Sequence, residues 1–171
     1  YLCERSEVDN ARIGITGNSG GGTQTSLLML CEPRLAAAVP GTFITSLEEM
    51  MLAGFPQDME QIVYKAMRRG PDHDDFLIGI APRPVLVGAV AYDSFPIEGA
   101  IASYEKARKI YQLYNQPENI QLVNDLSPHC YSDGLRQAAV NWFKQHLKNE
   151  TPDFITGYPA VLKPEELNVT P

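Results

Sequence analysis

Six residues, Gly17-Asn18-Ser19-Gly20-Gly21-Gly22, follow directly on the apolar run Arg12-Ile13-Gly14-Ile15-Thr16 and constrain the chain more than any other segment. They fit G-x-S-x-G, the pattern of a strand that turns sharply into a helix and leaves a serine hydroxyl exposed at the tip. The spacing has a steric cause. A serine held in a strained backbone conformation tolerates only small residues two positions before and after it, here Gly17 and Gly21. Upstream, Ile13, Ile15 and Thr16 are β-branched; downstream, Ser26-Leu27-Leu28-Met29-Leu30 is apolar on nearly every side, as a buried helix should be. A phosphate-binding loop fits less well, because there is no G-x-G-x-x-G register and no Lys-Ser/Thr pair after the glycines.

With 171 residues, 44% of them hydrophobic, the chain can bury one sizeable core, and one domain is expected. A net charge of -7 argues against nucleic acid or an anionic membrane surface as partner. No apolar run is long enough to span a bilayer. Cys3, Cys31 and Cys130 lie far apart without C-x-x-C spacing, so neither a disulfide framework nor a zinc site is indicated and buried free thiols are expected. The chain opens Tyr1-Leu2-Cys3, with no methionine or signal-type stretch, so it is expected to begin inside a longer protein. Residues 1–8 read as the end of a helix leading into the serine strand.

Four short apolar runs, 11–16, 35–40, 84–90 and 120–124, read as strands. Helix-like segments separate them, which implies an α/β fold with a mostly parallel sheet and helices on both faces. Ile97, Ala100, Ile101, Tyr104, Ala107, Tyr111 and Tyr114 form one stripe at helical spacing, and Leu135, Ala138, Ala139, Trp142, Phe143 and Leu147 form another; both read as core. Residues 41–83 carry no strand signal and hold two expected helices, 46–53 and 57–69, divided by Gly54-Phe55-Pro56. A connection this long reads as a pocket wall or lid. Met50, Met51, Leu52 and Phe55 suit either an acyl or sugar pocket or packing on the sheet, and packing is favoured. Past Thr151-Pro152, residues 151–171 read as an extended tail.

A serine hydroxyl is a poor nucleophile at neutral pH, so the turn needs a base within hydrogen-bond reach and an acid to orient that base. In the fold that uses G-x-S-x-G these follow the serine as acid and then histidine. Of three histidines, His129 in Ser127-Pro128-His129-Cys130 stands just past the last strand, where a loop can carry an imidazole over the sheet edge. His146 lies in the final helix and reads as structural. His73, in Asp72-His73-Asp74-Asp75, reads as a helix start, with a cation site as the weaker alternative. The acid belongs after the strand 84–90, where Asp93 stands. Asp125 is too close in sequence to His129, and Glu98 suits a helix N-terminus, where the dipole favours a carboxylate. Of the two N–H donors an oxyanion needs, the backbone of Gly20 supplies one; no earlier strand is present to carry the loop that supplies the second.

The segments 12–25 and 80–86, together with Asp93-Ser94-Phe95-Pro96-Ile97-Glu98-Gly99 and Pro128-His129, resemble the α/β-hydrolase superfamily, and within it the acetyl-xylan-esterase-like branch related to dienelactone hydrolases and prolyl oligopeptidases. The resemblance covers residues 1–150 as the C-terminal half of such a domain. It implies Ser19 as nucleophile, Asp93 as acid, His129 as base and Gly20 as oxyanion donor, acting on a small-molecule or oligosaccharide ester without metal or organic cofactor. It also implies that the N-terminal half of the fold lies in the same parent protein, that the strand 11–16 is left as an open edge, and that the 171-residue chain alone is inactive or feebly active. A secreted or periplasmic location follows from the resemblance alone. Asn168-Val169-Thr170 matches a glycosylation acceptor. A prolyl-oligopeptidase-type peptidase and a catalytically silent hydrolase-fold binding module are the alternative functions.

Overall fold

A computed structural model describes residues 1–55, 57–153 and 162–168. Four strands, β1 (Ile13–Asn18), β2 (Leu35–Gly41), β3 (Val85–Tyr92) and β4 (Ile120–Pro128), form one parallel sheet in the order β1-β2-β3-β4. Each parallel step needs a crossover, and helices supply them. α1 (Gly20–Cys31) joins β1 to β2, and α5 (Ile97–Leu113) joins β3 to β4. Between β2 and β3 run α2 (Leu47–Ala53), a 3₁₀ turn at Met59–Gln61, the single turn α3 (Ala66–Arg69) and α4 (His73–Ile80). α6 (Asp133–Phe143) follows β4 and continues into a π-helical turn at Lys144–Lys148.

Alternation along the strands builds two core layers. Ala38, Val85, Val87 and Ile120 face a layer with Met29, Leu77 and Tyr111, whereas Ala37, Val39 and Leu86 face Ala139 and Trp142 of α6. Helices therefore cover both faces, as the sequence pattern implies. Helix α5 turns Ala100, Ala107 and Tyr111 inward, but Ile101 and Tyr114, read as part of its stripe, are exposed; Ser103 fills the buried face instead. In the stripe of the last helix Leu135, Ala139 and Trp142 are buried, and Ala138, Phe143 and Leu147 are half-buried against the same layer.

Several expectations are corrected. Residues 2–4 form a lone 3₁₀ turn rather than a helix end. Ser46 caps α2, its Oγ accepting from Glu49 N–H at 3.2 Å, and Gly54 ends it in the left-handed region. The expected helix over 57–69 does not form. Its apolar residues Met59, Ile62, Tyr64 and Met67 are exposed, and Lys65 at φ 61° interrupts the backbone. Cys31 and Cys130 are exposed and Cys3 is half-buried, so the thiols are free without being core. The tail reading lies partly outside the described residues. Its start is tied to α6, since Gln137 Nε2–H donates to Asp153 O at 2.6 Å, and a 3₁₀ turn occupies Pro164–Leu167. Among the described residues no helix is long and apolar enough to cross a membrane.

Candidate active site

Parallel strands place their C-terminal ends along one edge of the sheet, and Ser19, Asp93 and His129 are the residues directly past β1, β3 and β4. Ser19 caps α1 at φ 56° and ψ -117°, a conformation that costs a non-glycine residue of order 1–3 kcal/mol. Local hydrogen bonds offset that cost. Ser19 N–H donates to Gly41 O at 3.0 Å and to Thr42 Oγ1 at 3.0 Å, and Thr42 Oγ1–H donates to Asn18 Oδ1 at 2.8 Å. The steric demand differs from the expected one. A Cβ at Gly17 would overlap the Gly21 carbonyl, and one at Gly22 would overlap the Gly41 carbonyl, whereas one at Gly21 meets nothing within 4 Å. The backbone of Gly21 makes position 17 glycine, and close packing against Gly41 and Phe43 makes position 22 glycine.

Gly20 is the first residue of α1, so helix geometry leaves its N–H without an intrahelical acceptor. A Cβ on Gly20 would stand 3.7 Å from Glu60 Oε1, which brings the segment 41–83 beside the serine turn. Met50 of that segment is core, while Met51, Leu52 and Phe55 are exposed. Met50, Met51 and Phe55 line a cavity of about 230 Å³ with Leu47, Ile62 and Val63; Leu52 lies outside that lining.

His129 and Asp93 are in contact. His129 Nδ1–H donates to Asp93 Oδ1 at 2.8 Å, with the carboxylate side chain 2% exposed and the imidazole 36%. An ionised carboxylate only accepts, so this bond keeps the proton on Nδ1 and leaves the Nε2 lone pair free. Phe95 N–H donates to the same Oδ1 at 3.2 Å, and the Phe95 ring stacks on His129 with centroids 5.9 Å apart at 27°. Asp93 Oδ2 is buried without a hydrogen-bond partner among the described residues.

β4 stands three strands from β1, about 14 Å at roughly 4.8 Å per strand, so the histidine loop must fold back over the sheet edge to approach Ser19. Tyr131 marks that return. Two residues past His129, its hydroxyl lies 2.7 Å from Thr16 Oγ1 on β1, and Thr16 Oγ1–H donates to Val39 O at 2.8 Å. Burial pushes the Tyr131 phenol up from its ordinary value, so it stays a neutral anchor. Among the described residues no hydrogen bond joins the Ser19 hydroxyl to the imidazole. The structure thus joins Asp93 to His129 and places Ser19 on the same edge.

The competing groups lie elsewhere. The Asp125 carboxylate sits against the first turn of α6, where a Cβ on Gly134 would stand 2.8 Å from its Oδ2. Glu98 is exposed in the first turn of α5. His146 packs on Trp142 with ring centroids 4.1 Å apart, and burial holds it below the ordinary histidine value. His73 is buried at the start of α4, and its Nδ1 accepts the Thr45 N–H at 3.2 Å, which removes that lone pair from any cation. Asp72 and Asp75 form the capping box of that helix. Among the described residues no three His, Cys, Asp or Glu side chains group as metal ligands. Thr42, Phe95 and Tyr131 escape sequence reasoning. Only the position of Phe95, two residues past Asp93, hints at a part in the site.

No protein-family model matches the chain. No curated protein matches it either. Solved structures do. Methylesterase BT1017 shares 26% identity over 84% of this chain and 32% of its own, with a TM-score of 0.64. The carbohydrate esterase family 15 glucuronoyl esterase of Caldicellulosiruptor kristjansonii shares 18% over 97% and 51%, with a TM-score of 0.72. A serine-to-alanine variant of the glucuronoyl esterase of Sporotrichum thermophile, solved with methyl 4-O-methyl-β-D-glucopyranuronate, shares 17% over 85% and 46%, with a TM-score of 0.68. The chain spans a third to a half of the length of these proteins. What it has in common with them is the fold, that of the α/β-hydrolase esterases.

Proposed function

We propose that the chain carries the catalytic set of a serine hydrolase that cleaves carboxylic esters of polysaccharide sugars through an acyl-enzyme. One observation carries the reading: the His129–Asp93 hydrogen bond stands on the sheet edge that also bears the strained Ser19 turn. In this mechanism His129 Nε2 takes the Ser19 proton as Oγ attacks the ester carbonyl carbon, and Asp93 stabilises the imidazolium. The tetrahedral oxyanion is held by the Gly20 N–H. Collapse breaks the carbon–oxygen bond of the leaving alcohol, which receives the proton from the imidazolium. A water molecule, deprotonated by the same nitrogen, then releases the acid and restores Ser19.

The second oxyanion donor is assigned to further chain beside β1, in the same protein. Partial coverage of the solved esterases supports that assignment, as does the lack of any partner but β2 for β1 among the described residues. In this reading residues 41–83 form one wall of the substrate cleft. Two ester classes compete. An acetyl ester of xylan fits the family resemblance of the sequence, and a methyl ester of a uronic acid fits what the structural neighbours are named for. We favour the uronate ester, since the likeness to a methylesterase and to glucuronoyl esterases extends over most of this chain. A prolyl peptidase and a silent binding module are the rivals to be tested.

The experiment is hydrolysis of p-nitrophenyl acetate by the full-length protein beside its Ser19→Ala variant, followed by methyl glucuronate, acetylated xylo-oligosaccharides and prolyl amides. Turnover lost in Ser19→Ala and greatest on methyl glucuronate is expected. Equal turnover in both proteins would favour the binding module, and a preference for prolyl amides would favour the peptidase.

A further inference from the structure

A column of four packed rings leads from His129 into the core. Phe95 stacks on His129; Phe43 meets Phe95 edge-on at 5.9 Å and 62°; His73 stacks on Phe43 at 4.7 Å and 27°. Phe43 is 1% exposed and His73 4%, so the column is dry at its inner end. A hydrogen-bonded path runs beside it. Thr45, fully buried, donates its N–H to His73 Nδ1 at 3.2 Å and its Oγ1–H to Pro96 O at 2.8 Å, and accepts from Ser103 Oγ–H at 2.5 Å. Both paths end on the loop Asp93-Ser94-Phe95-Pro96, which holds the carboxylate and the ring that flank His129.

We propose that His73 is a positioning residue for the Asp93–His129 pair, acting as the buried acceptor that fixes Thr45 and, through Thr45, the acid loop. A buried backbone N–H needs an acceptor, and at Thr45 a side chain from α4 supplies it. Only a neutral imidazole can do so, because the protonated ring has two donors and no lone pair. Burial favours that form and holds His73 below its ordinary value, against the opposing pull of Asp72, the Phe43 backbone and Asp74. Asp74 is partly neutralised by Lys106 of α5 at 3.5 Å, and Phe43, Thr45 and Phe76, which pack around the ring, carry no charge. Loss of the acceptor would free the Thr45 amide to seek another partner and shift the loop. Displacements of about 1 Å at a reacting group cost on the order of a hundredfold in rate.

The inference rests on the serine-hydrolase reading for its kinetic consequence but not for its structural one, and the test separates the two. In the full-length protein, His73→Leu removes the acceptor, whereas His73→Asn keeps one where Nδ1 stood. The expected result is a roughly ten- to hundredfold fall in kcat with little change in KM for His73→Leu, and recovery to within about threefold in His73→Asn. The downfield Nδ1–H resonance of ¹⁵N-labelled His129, the mark of its bond to Asp93, should weaken in the first variant and persist in the second. If His73→Leu does not fold, Thr45→Val against Thr45→Ser reads the same link at the Pro96 bond. A His129 resonance and kcat unchanged in folded His73→Leu, or in Thr45→Val, would overturn the proposal. If wild type itself shows no Ser19-dependent turnover, the hydrolase reading falls, and the resonance alone decides the role of His73.

Discussion

β3 buries six consecutive residues, from Val85 to Val90, whereas β1, which leads to Ser19, buries none of its six. Both are parallel strands of one sheet and both end at the candidate site, so neither direction nor edge separates them. Position does: β3 is flanked by β2 and β4 and covered on both faces, while β1 pairs only with β2 among the described residues. The helix after β1 tells the same story, since Leu27, Leu28 and Leu30 of α1 are each 38–46% exposed. A helix apolar on all sides is built to be covered. Asp93 therefore stands past a closed strand, whereas Ser19 and His129 stand past the two outer strands of the sheet, β1 and β4. Under the proposed function, the Asp93–His129 pair is already joined, whereas the serine side awaits further chain at β1.

The largest expected effect tests the closed side. Asp93→Asn should lower turnover by about 10⁴-fold, because an amide no longer holds the imidazole in the tautomer that leaves Nε2 basic. Its melting temperature should change little; a variant that keeps turnover within tenfold would remove Asp93 from the chemistry. Truncation of the two strands comes next. Leu86→Ala, in β3 at 2% exposure, should cost about 2–5 kcal/mol in urea unfolding, and Ile15→Ala on half-buried β1 distinctly less. Equal losses would break the comparison between the strands.

Buried His73 and half-buried His146 give a smaller, pH-dependent effect. Burial depresses His73 and His146 below their ordinary value of 6.5. The unfolded chain takes up protons that the folded one refuses, so stability is full above about pH 6.5 and declines as the pH falls below it. Melting temperatures measured between pH 7.5 and 5 should follow that direction, with part of the slope gone in His73→Asn; a slope unchanged in that variant would mean that His73 titrates normally. Smallest is Tyr131→Phe, which removes the hydroxyl facing Thr16 and should cost about 1 kcal/mol, with a fewfold loss of turnover. A variant identical to wild type would show that this anchor does not hold the histidine loop.

Sequence reading reached those parts of the molecule whose causes are local. The four strands are legible because their residues are β-branched or small and apolar between polar boundaries, although β1 runs on through Gly17 and Asn18, where composition gives no strand signal. Asp93 and His129 are legible from their places past two strands, and the structure puts them 2.8 Å apart. The segment 57–69 misleads. Met59, Ile62, Val63, Ala66 and Met67 recur at helical spacing, yet β-branched Ile62 and Val63 resist helix and Gln61 turns into the interior instead. Thr45 and His73 escape because their bond joins residues 28 apart in sequence, and nothing in Thr45 itself marks its amide as the donor. The glycine at 22, rather than 21, depends on the carbonyl of Gly41, a contact that only packing reveals.

The central claim is that Ser19 is a nucleophile activated by His129, and a fluorophosphonate probe tests it without any choice of substrate. Intact mass spectrometry of the labelled full-length protein, with peptide mapping, should show one phosphonyl adduct on Ser19, absent from Ser19→Ala and strongly slowed in His129→Ala. Labelling at another residue, or no labelling of the wild-type protein, would contradict the account.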